Sequence, residues 1–224
     1  MAVPEPMLDS SPVRIDVLGH AVSVLLTMDS QPRITLFGDL FSREECSALI
    51  KLATSRMKRS QVVDRATPGA TKLDPIRTSS HMFFRLGENP LVTRLEGRIA
   101  QLLNWPVEFG EGLQVLRYEE GQEYKPHLDC FEEGTSSGQS HIGTSENRVA
   151  TLITYLSEPL EGGYTIFPNA GVRVSPVQGN AVLFSYPTAS YASKSQHGGC
   201  PVISGEKWIA TKWFRGASYR GGSG

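Results

Sequence analysis

The 224-residue chain is notable first for what it has little of. It holds 3 cysteines, an odd number with no CxxC pair, which excludes both a disulfide framework and a zinc ribbon. Free thiols in a reducing compartment are the expectation. No run of 18 apolar residues is present, so a membrane-spanning helix is not expected. The opening MAVPEPMLDSSPVRID lacks the apolar core of a secretory signal, and a cytoplasmic location with no membrane partner follows as an expectation. Charge of one sign is also missing: 22 Lys+Arg face 23 Asp+Glu, for a net charge of −1. That balance argues against a broad basic surface, so no nucleic-acid partner is expected. Neither an internal repeat nor a strong linker divides the chain, which reads as one domain large enough to bury a core unaided.

Glycine (22) and proline (14) are plentiful enough to punctuate many turns. Ser42-Arg-Glu-Glu45 is a capping box that opens a helix with Cys46, Leu49, Ile50 and Ala53 on one face. Arg33–Phe37 just before it reads as a strand. A second helix begins at the cap Asn89-Pro90, carries Leu91, Leu95, Ile99 and Leu102 at helical spacing, and stops before Pro106. After residue 112 the pattern turns to short β-branched and aromatic runs: Leu113–Tyr118, Val149–Leu156, Gly171–Val174, Ala181–Tyr186 and Lys207–Phe214. Helices first and strands after predict an α+β layout, with helices on one side of a largely antiparallel sheet system or barrel. Asp64–Arg77 and Glu132–Asn147 show no periodicity and are expected as loops that close over a substrate.

Of five histidines, His127 stands out because His127-Leu-Asp129 places two metal-capable side chains at i and i+2. On a strand, residues two apart share a face and converge on one ion. A third imidazole from a distant strand would complete the 2-His-1-carboxylate triad of non-haem Fe(II) oxygenases. Chance supplies such a dipeptide pattern about half the time at average composition, so the far end of the chain matters. There, His197 sits in Gln196-His-Gly-Gly-Cys-Pro201, where its glycines would leave room for a ligand. Ten residues on, Lys207 opens the alternating run KWIATKWF. A lysine at the mouth of an apolar strand is a poor core residue unless it meets an anion.

Tyr118-Glu-Glu-Gly-Gln-Glu-Tyr-Lys-Pro-His-Leu-Asp129, Arg148–Leu156, Glu161-Gly-Gly-Tyr-Thr-Ile-Phe-Pro168 and the His197–Trp208 segment together resemble the catalytic domain of prolyl 4-hydroxylases. More broadly they look like Fe(II)/2-oxoglutarate dioxygenases. Arg77-Thr-Ser-Ser80 and the helix opening at Ser42 are similar to that family too. The resemblance implies a double-stranded β-helix (jelly roll, cupin-like) with helices on the larger sheet. It implies an N-terminal extension over 1–31, a catalytic domain over 32–215 and a flexible tail over 216–224. His127, Asp129 and His197 match the iron ligands, and Lys207 the partner of the far carboxylate of 2-oxoglutarate. Tyr118 and Thr165 match hydrogen-bond donors to that carboxylate, and Tyr124, Arg148 and Trp213 match contacts to a peptide substrate. The cofactors implied are Fe(II), 2-oxoglutarate and O2, with ascorbate alongside. The implied reaction hydroxylates a prolyl residue of a peptide or protein and releases succinate and CO2. The same chemistry on a free amino acid or a non-prolyl side chain is the alternative. A monomer or homodimer is expected. Two positions depart from the family pattern: Tyr164 stands where a Glu is usual, and Arg215 where some peptide hydroxylases carry a His.

Overall fold

The computed structural model describes residues 2–8, 13–63, 71–72, 74–143, 145–186, 188 and 190–219. The chain opens with β1 (Arg14–Val17), β2 (His20–Met28) and β3 (Arg33–Gly38), then α1 (Arg43–Thr54). Short strands β4 (Lys58–Arg59), β5 (Val62–Val63), β6 (Thr71–Lys72) and β7 (Ser80–Phe83) lead to α2 (Pro90–Leu102). β8 (Gln114–Tyr118), β9 (Tyr124–His127) and α3 (Ser136–Ile142) follow. The rest is strand: β10 (Arg148–Tyr155), β11 (Glu161–Gly162), β12 (Thr165–Phe167), β13 (Val172–Val174) and β14 (Ala181–Ser185). β15 (His197–Gly199), β16 (Val202–Ser204) and β17 (Lys207–Arg215) close the order.

Both sequence-read helix starts are present. Ser42 accepts from the Glu45 amide at 3.2 Å while Glu45 accepts from the Ser42 amide at 2.9 Å, and Asn89 caps α2 through the Val92 amide. Their apolar stripes, Cys46, Leu49 and Ala53 on α1 and Val92, Leu95, Ile99 and Leu102 on α2, bury against one face of a nine-stranded sheet. Its order is β1-β2-β3-β14-β10-β17-β8-β7-β4, with every named pair antiparallel. A four-stranded sheet, β13-β12-β15-β9, supplies Phe167 and Val174 to a second core shared with Leu116, Ile153, Val182 and Phe184 of the large sheet.

Strand alternation divides the two cores and sets up the site. On β17, Trp208, Ala210 and Phe214 pack among the helices, while Lys207, Ile209, Thr211 and Trp213 line a cleft of about 910 Å³. A one-residue slip would exchange these sets.

Two sequence expectations change. The segment over 1–31, expected as an extension, contributes β1 and β2 to the large sheet. Its signal was the β-branched run broken at Leu18-Gly19, where positive φ (57° and 76°) makes a two-residue hairpin turn closed by the Gly19 amide on Asp16 at 3.1 Å. The Glu132–Asn147 stretch, expected without regular structure, contains α3. Thr135 caps it through the Gly138 amide, and Gly138 is the residue that fits, since a Cβ there would lie 1.9 Å from the Glu132 carbonyl. Within the other expected loop, residues 64–70 and 73 lie outside the described ones, as do 1 and 9–12 of the extension and 220–224 of the tail. All three cysteines are free, as expected, and among the described residues no helix is long and apolar enough to cross a membrane.

Candidate active site

β9 and β15 run antiparallel with His127 opposite His197. β9 ends at His127, so Asp129 sits in the bend beyond it rather than on the strand face that the i, i+2 spacing suggested. The bend brings the carboxylate back between the rings. Asp129 Oδ1 lies 3.5 Å from His127 Nε2, and Oδ2 lies 3.5 Å from His197 Nε2. One ligand atom from each of the three residues falls within 4.8 Å of the others, an arrangement that can hold a metal ion.

Each imidazole turns Nδ1 to a backbone carbonyl, His127 to Lys125 at 2.9 Å and His197 to Ser195 at 3.1 Å. A carbonyl only accepts, so Nδ1 carries the proton and the Nε2 lone pair faces Asp129. Burial pushes His197 down to about 4, which keeps it neutral and ready to ligate near pH 7. Burial alone would raise the Asp129 carboxyl, but His197, His127 and Arg148 outweigh it and hold the group well below the usual carboxylate range. Two neutral imidazoles and one carboxylate on one side of a cleft fit a divalent first-row metal.

Behind the carboxylate stands a support that the sequence did not advertise. Thr151 Oγ1 donates to Asp129 Oδ2 at 2.7 Å and, having spent its only proton, accepts from the Tyr186 hydroxyl at 2.8 Å. Thr151→Val keeps the shape and removes the donor. Metal affinity is expected to fall about 10- to 100-fold, measured by anaerobic equilibrium dialysis; unchanged affinity would mean that packing alone orients Asp129.

Lys207 lies on the same cleft, 2% exposed, with Nζ donating to the Gly163 carbonyl at 2.6 Å. No carboxylate pairs with it among the described residues, and burial pushes its pKa down to about 8. The contrast is Lys212, five residues along on the opposite face, whose ammonium meets Glu96 at 2.6 Å. A buried cation without an anion is costly unless a ligand supplies one. Strand β15 links the two ends: it begins at His197, and a side chain at Gly199 would start 3.8 Å from Lys207 Nζ. Two strand residues span roughly 6–7 Å, a length a five-carbon diacid covers. Gly198 serves a different purpose from the ligand room expected of it. A Cβ there would stand 2.9 Å from the Tyr124 carbonyl, so glycine admits the neighbouring strand β9.

Tyr118 and Thr165 also line this end. Thr165 Oγ1 accepts from the buried Tyr155 hydroxyl at 2.9 Å, leaving its own proton free to donate. Burial raises the Tyr118 phenol, so it too remains a donor. The three residues matched to a peptide contact cluster at the other end. Tyr124 stacks on His127 (ring centroids 3.5 Å apart) with the Arg77 guanidinium 4.9 Å from its ring. Arg148 lies 3.8 Å over Trp213, whose buried Nε1 has no hydrogen-bond partner among the described residues. Arg148 commits three N–H groups inward, two to Glu111 at 2.7 and 2.8 Å and one to the Asp129 carbonyl at 3.1 Å. Glu111, which nothing in the sequence singled out, therefore sets the position of Arg148.

A sheet-rich fold with a His-Asp-His cluster at one end of a cleft and an unpaired lysine at the other defines the 2-oxoglutarate-using iron oxygenase class, and residues 113–215 match the 2OG-Fe(II) oxygenase superfamily. The chain is 40% identical to "Probable prolyl 4-hydroxylase 3" of Arabidopsis thaliana over 213 residues, covering 85% of this chain and 71% of the relative. It is 41% identical to "Prolyl 4-hydroxylase 5" of the same plant over 207 residues, covering 82% and 68%. The viral collagen prolyl hydroxylase of Paramecium Bursaria Chlorella virus-1, solved as a 2OG complex, superposes with a TM-score of 0.62 at 27% identity, covering 81% of this chain and 95% of that one. The chain belongs to the prolyl 4-hydroxylase family of 2OG-Fe(II) oxygenases.

Proposed function

We propose that the protein hydroxylates prolyl residues of a peptide or protein, using Fe(II), 2-oxoglutarate and O2. The observation that carries this reading is the pairing, in one cleft, of the His127-Asp129-His197 cluster with the uncompensated ammonium of Lys207. The names of its Arabidopsis and viral relatives support the prolyl substrate. The nine- and four-stranded sheets, facing each other across the inner core, are the two sheets of a double-stranded β-helix.

His127, Asp129 and His197 hold the metal, and the bound iron and 2-oxoglutarate supply the oxidising power that places one oxygen atom on a substrate C–H bond and the other in succinate, with loss of CO2. The remaining residues bind and orient. Lys207 pairs with the far carboxylate while Thr165 and Tyr118 donate to it, a charge-assisted set in a dry pocket. Tyr124, Arg148 and Trp213 form the peptide side, and their aromatic faces exclude water from the reacting centre. Glu132, Thr135 and His141 from one expected loop and Thr71, Asp74 and Ile76 from the other line the cleft, and these residues close over the substrate.

Lys207→Ala is expected to raise the 2-oxoglutarate KM by about one to two decades, the value of a charge-assisted bond worth roughly 1.5–3 kcal/mol. The lysine is charged below about 8 and loses its proton as pH rises through that value, so parent KM climbs on the alkaline side while the variant's stays flat. An unchanged KM in Lys207→Ala would move the anion end elsewhere. The reaction itself is tested by mass spectrometry on a panel of proline-containing peptides and free amino acids. A gain of one oxygen on a prolyl residue supports the reading, and turnover of free amino acids alone overturns it.

A further inference from the structure

Beside the cleft lies a second cavity of about 320 Å³, between α3 and the end of β17. Phe131, His141 and Arg148 border both spaces. Phe131 and His141 stack on each other, ring centroids 5.0 Å apart at 10°, and form the partition.

The charges around this cavity do not balance. One carboxylate, Glu111, serves two guanidiniums: it takes two hydrogen bonds from Arg148 and one from Arg215 Nε at 2.7 Å. Arg148 has a second anion nearby in Asp129, whereas the other contacts of Arg215 are neutral. Its Nη1 donates to the carbonyls of His141 and Glu146 at 3.1 and 2.9 Å. Its Nη2 donates no hydrogen bond among the described residues, and Arg215 lines the cavity. Burial holds the Arg215 guanidinium below its ordinary pKa even beside Glu111. His141 borders the same cavity, and its Nε2 is buried without a hydrogen-bond partner among the described residues. A partly compensated guanidinium beside a polar void calls for an anionic acceptor.

We propose that this cavity is a carboxylate subsite for an acidic side chain flanking the target proline in the peptide substrate, with the Arg215 guanidinium as its donor. The inference rests on the peptide-hydroxylase reading and narrows it: the preferred substrates carry Asp or Glu near the modified residue. Arg215, which departs from the histidine of some relatives, is then a specificity-determining residue.

The test uses twin proline-containing peptides that differ only by Glu or Gln at successive positions on either side of the proline. Affinity for the Fe(II)- and 2-oxoglutarate-loaded protein is read anaerobically by fluorescence anisotropy, and turnover separately by mass spectrometry. At one position the Glu twin is expected to bind about tenfold tighter, the value of one charge-assisted hydrogen bond. Arg215→Gln should erase that ratio, and Arg215→Lys should retain part of it. Because Arg215 also ties down α3, the parent protein carries an independent arm: acetate should weaken the Glu twin and leave the Gln twin unaffected. Twins that bind alike at every position, with prolyl turnover intact, overturn the subsite and leave the enzyme reading standing. Acetate that binds while the twins remain equal assigns the cavity to free anions and also overturns the proposal. Absence of any prolyl turnover overturns the enzyme reading, while the binding ratio still decides the subsite.

Discussion

Asp129→Ala is expected to abolish both Fe(II) retention and succinate formation. Asp129 is the only carboxylate in the His127-Asp129-His197 cluster, it lies 3.5 Å from each Nε2, and it is held ionised. Without it two neutral imidazoles remain, which loses the charge match to a divalent ion and one of three bonds. Loss of a mere supporting hydrogen bond to a ligand typically costs 10- to 100-fold, so loss of the ligand should exceed about a hundredfold in metal affinity. His127→Ala and His197→Ala should behave alike, since each ring is fixed through Nδ1 on its own backbone carbonyl and no spare imidazole joins the cluster among the described residues. Anaerobic equilibrium dialysis reads the metal, succinate from 2-oxoglutarate reads the reaction, and circular dichroism confirms the fold. Full activity in any one of the three variants refutes the triad.

The His-Asp-His cluster was legible because metal ligation needs particular residue types close in sequence, and His127 and Asp129 supply them. The strand geometry first assigned to the pair was too simple. β9 stops at His127, and the convergence comes from a bend, which a two-residue spacing does not distinguish from a strand. Lys207 was legible for a complementary reason: it interrupts an alternating apolar strand, and the alternation decides which face it takes. Lys212 shows the limit of that reasoning. It sits on the same strand, equally buried, yet is satisfied by Glu96 on α2, a contact across 116 residues that no local pattern reports. Thr151, Tyr186 and Glu111 were missed for the same reason. Each is an ordinary residue in its own segment and acquires a role only when antiparallel pairing sets it beside a ligand or a guanidinium. β1 and β2 were missed differently, since the Leu18-Gly19 turn and the flanking β-branched run were local signals.

Glu111→Gln is expected to destabilise the fold by about 3–5 kcal/mol, the usual consequence of removing one partner from a buried ion network. The substitution is isosteric, so packing is preserved and the change falls on charge. It leaves Arg148 and Arg215 facing each other without their shared counterion, and side-chain exposures of 13% and 3% give little solvent screening. Denaturant unfolding, with parent and variant slopes compared, measures the difference. The double variant Glu111→Gln/Arg215→Gln should recover part of the loss, because it removes one of the stranded cations; a non-additive cycle identifies the network as the cause. The pH dependence supplies a further check. Burial would raise the Glu111 carboxyl, but Arg148 and Arg215 hold it below its ordinary value of 4.5. Its contribution is therefore present above that value and is lost as pH falls through the lower folded value. The parent should lose its advantage over the glutamine variant on that acid side and hold it constant near neutrality. A variant within about 1 kcal/mol of the parent at neutral pH would mean that water or an anion in the adjacent cavity already compensates the two guanidiniums.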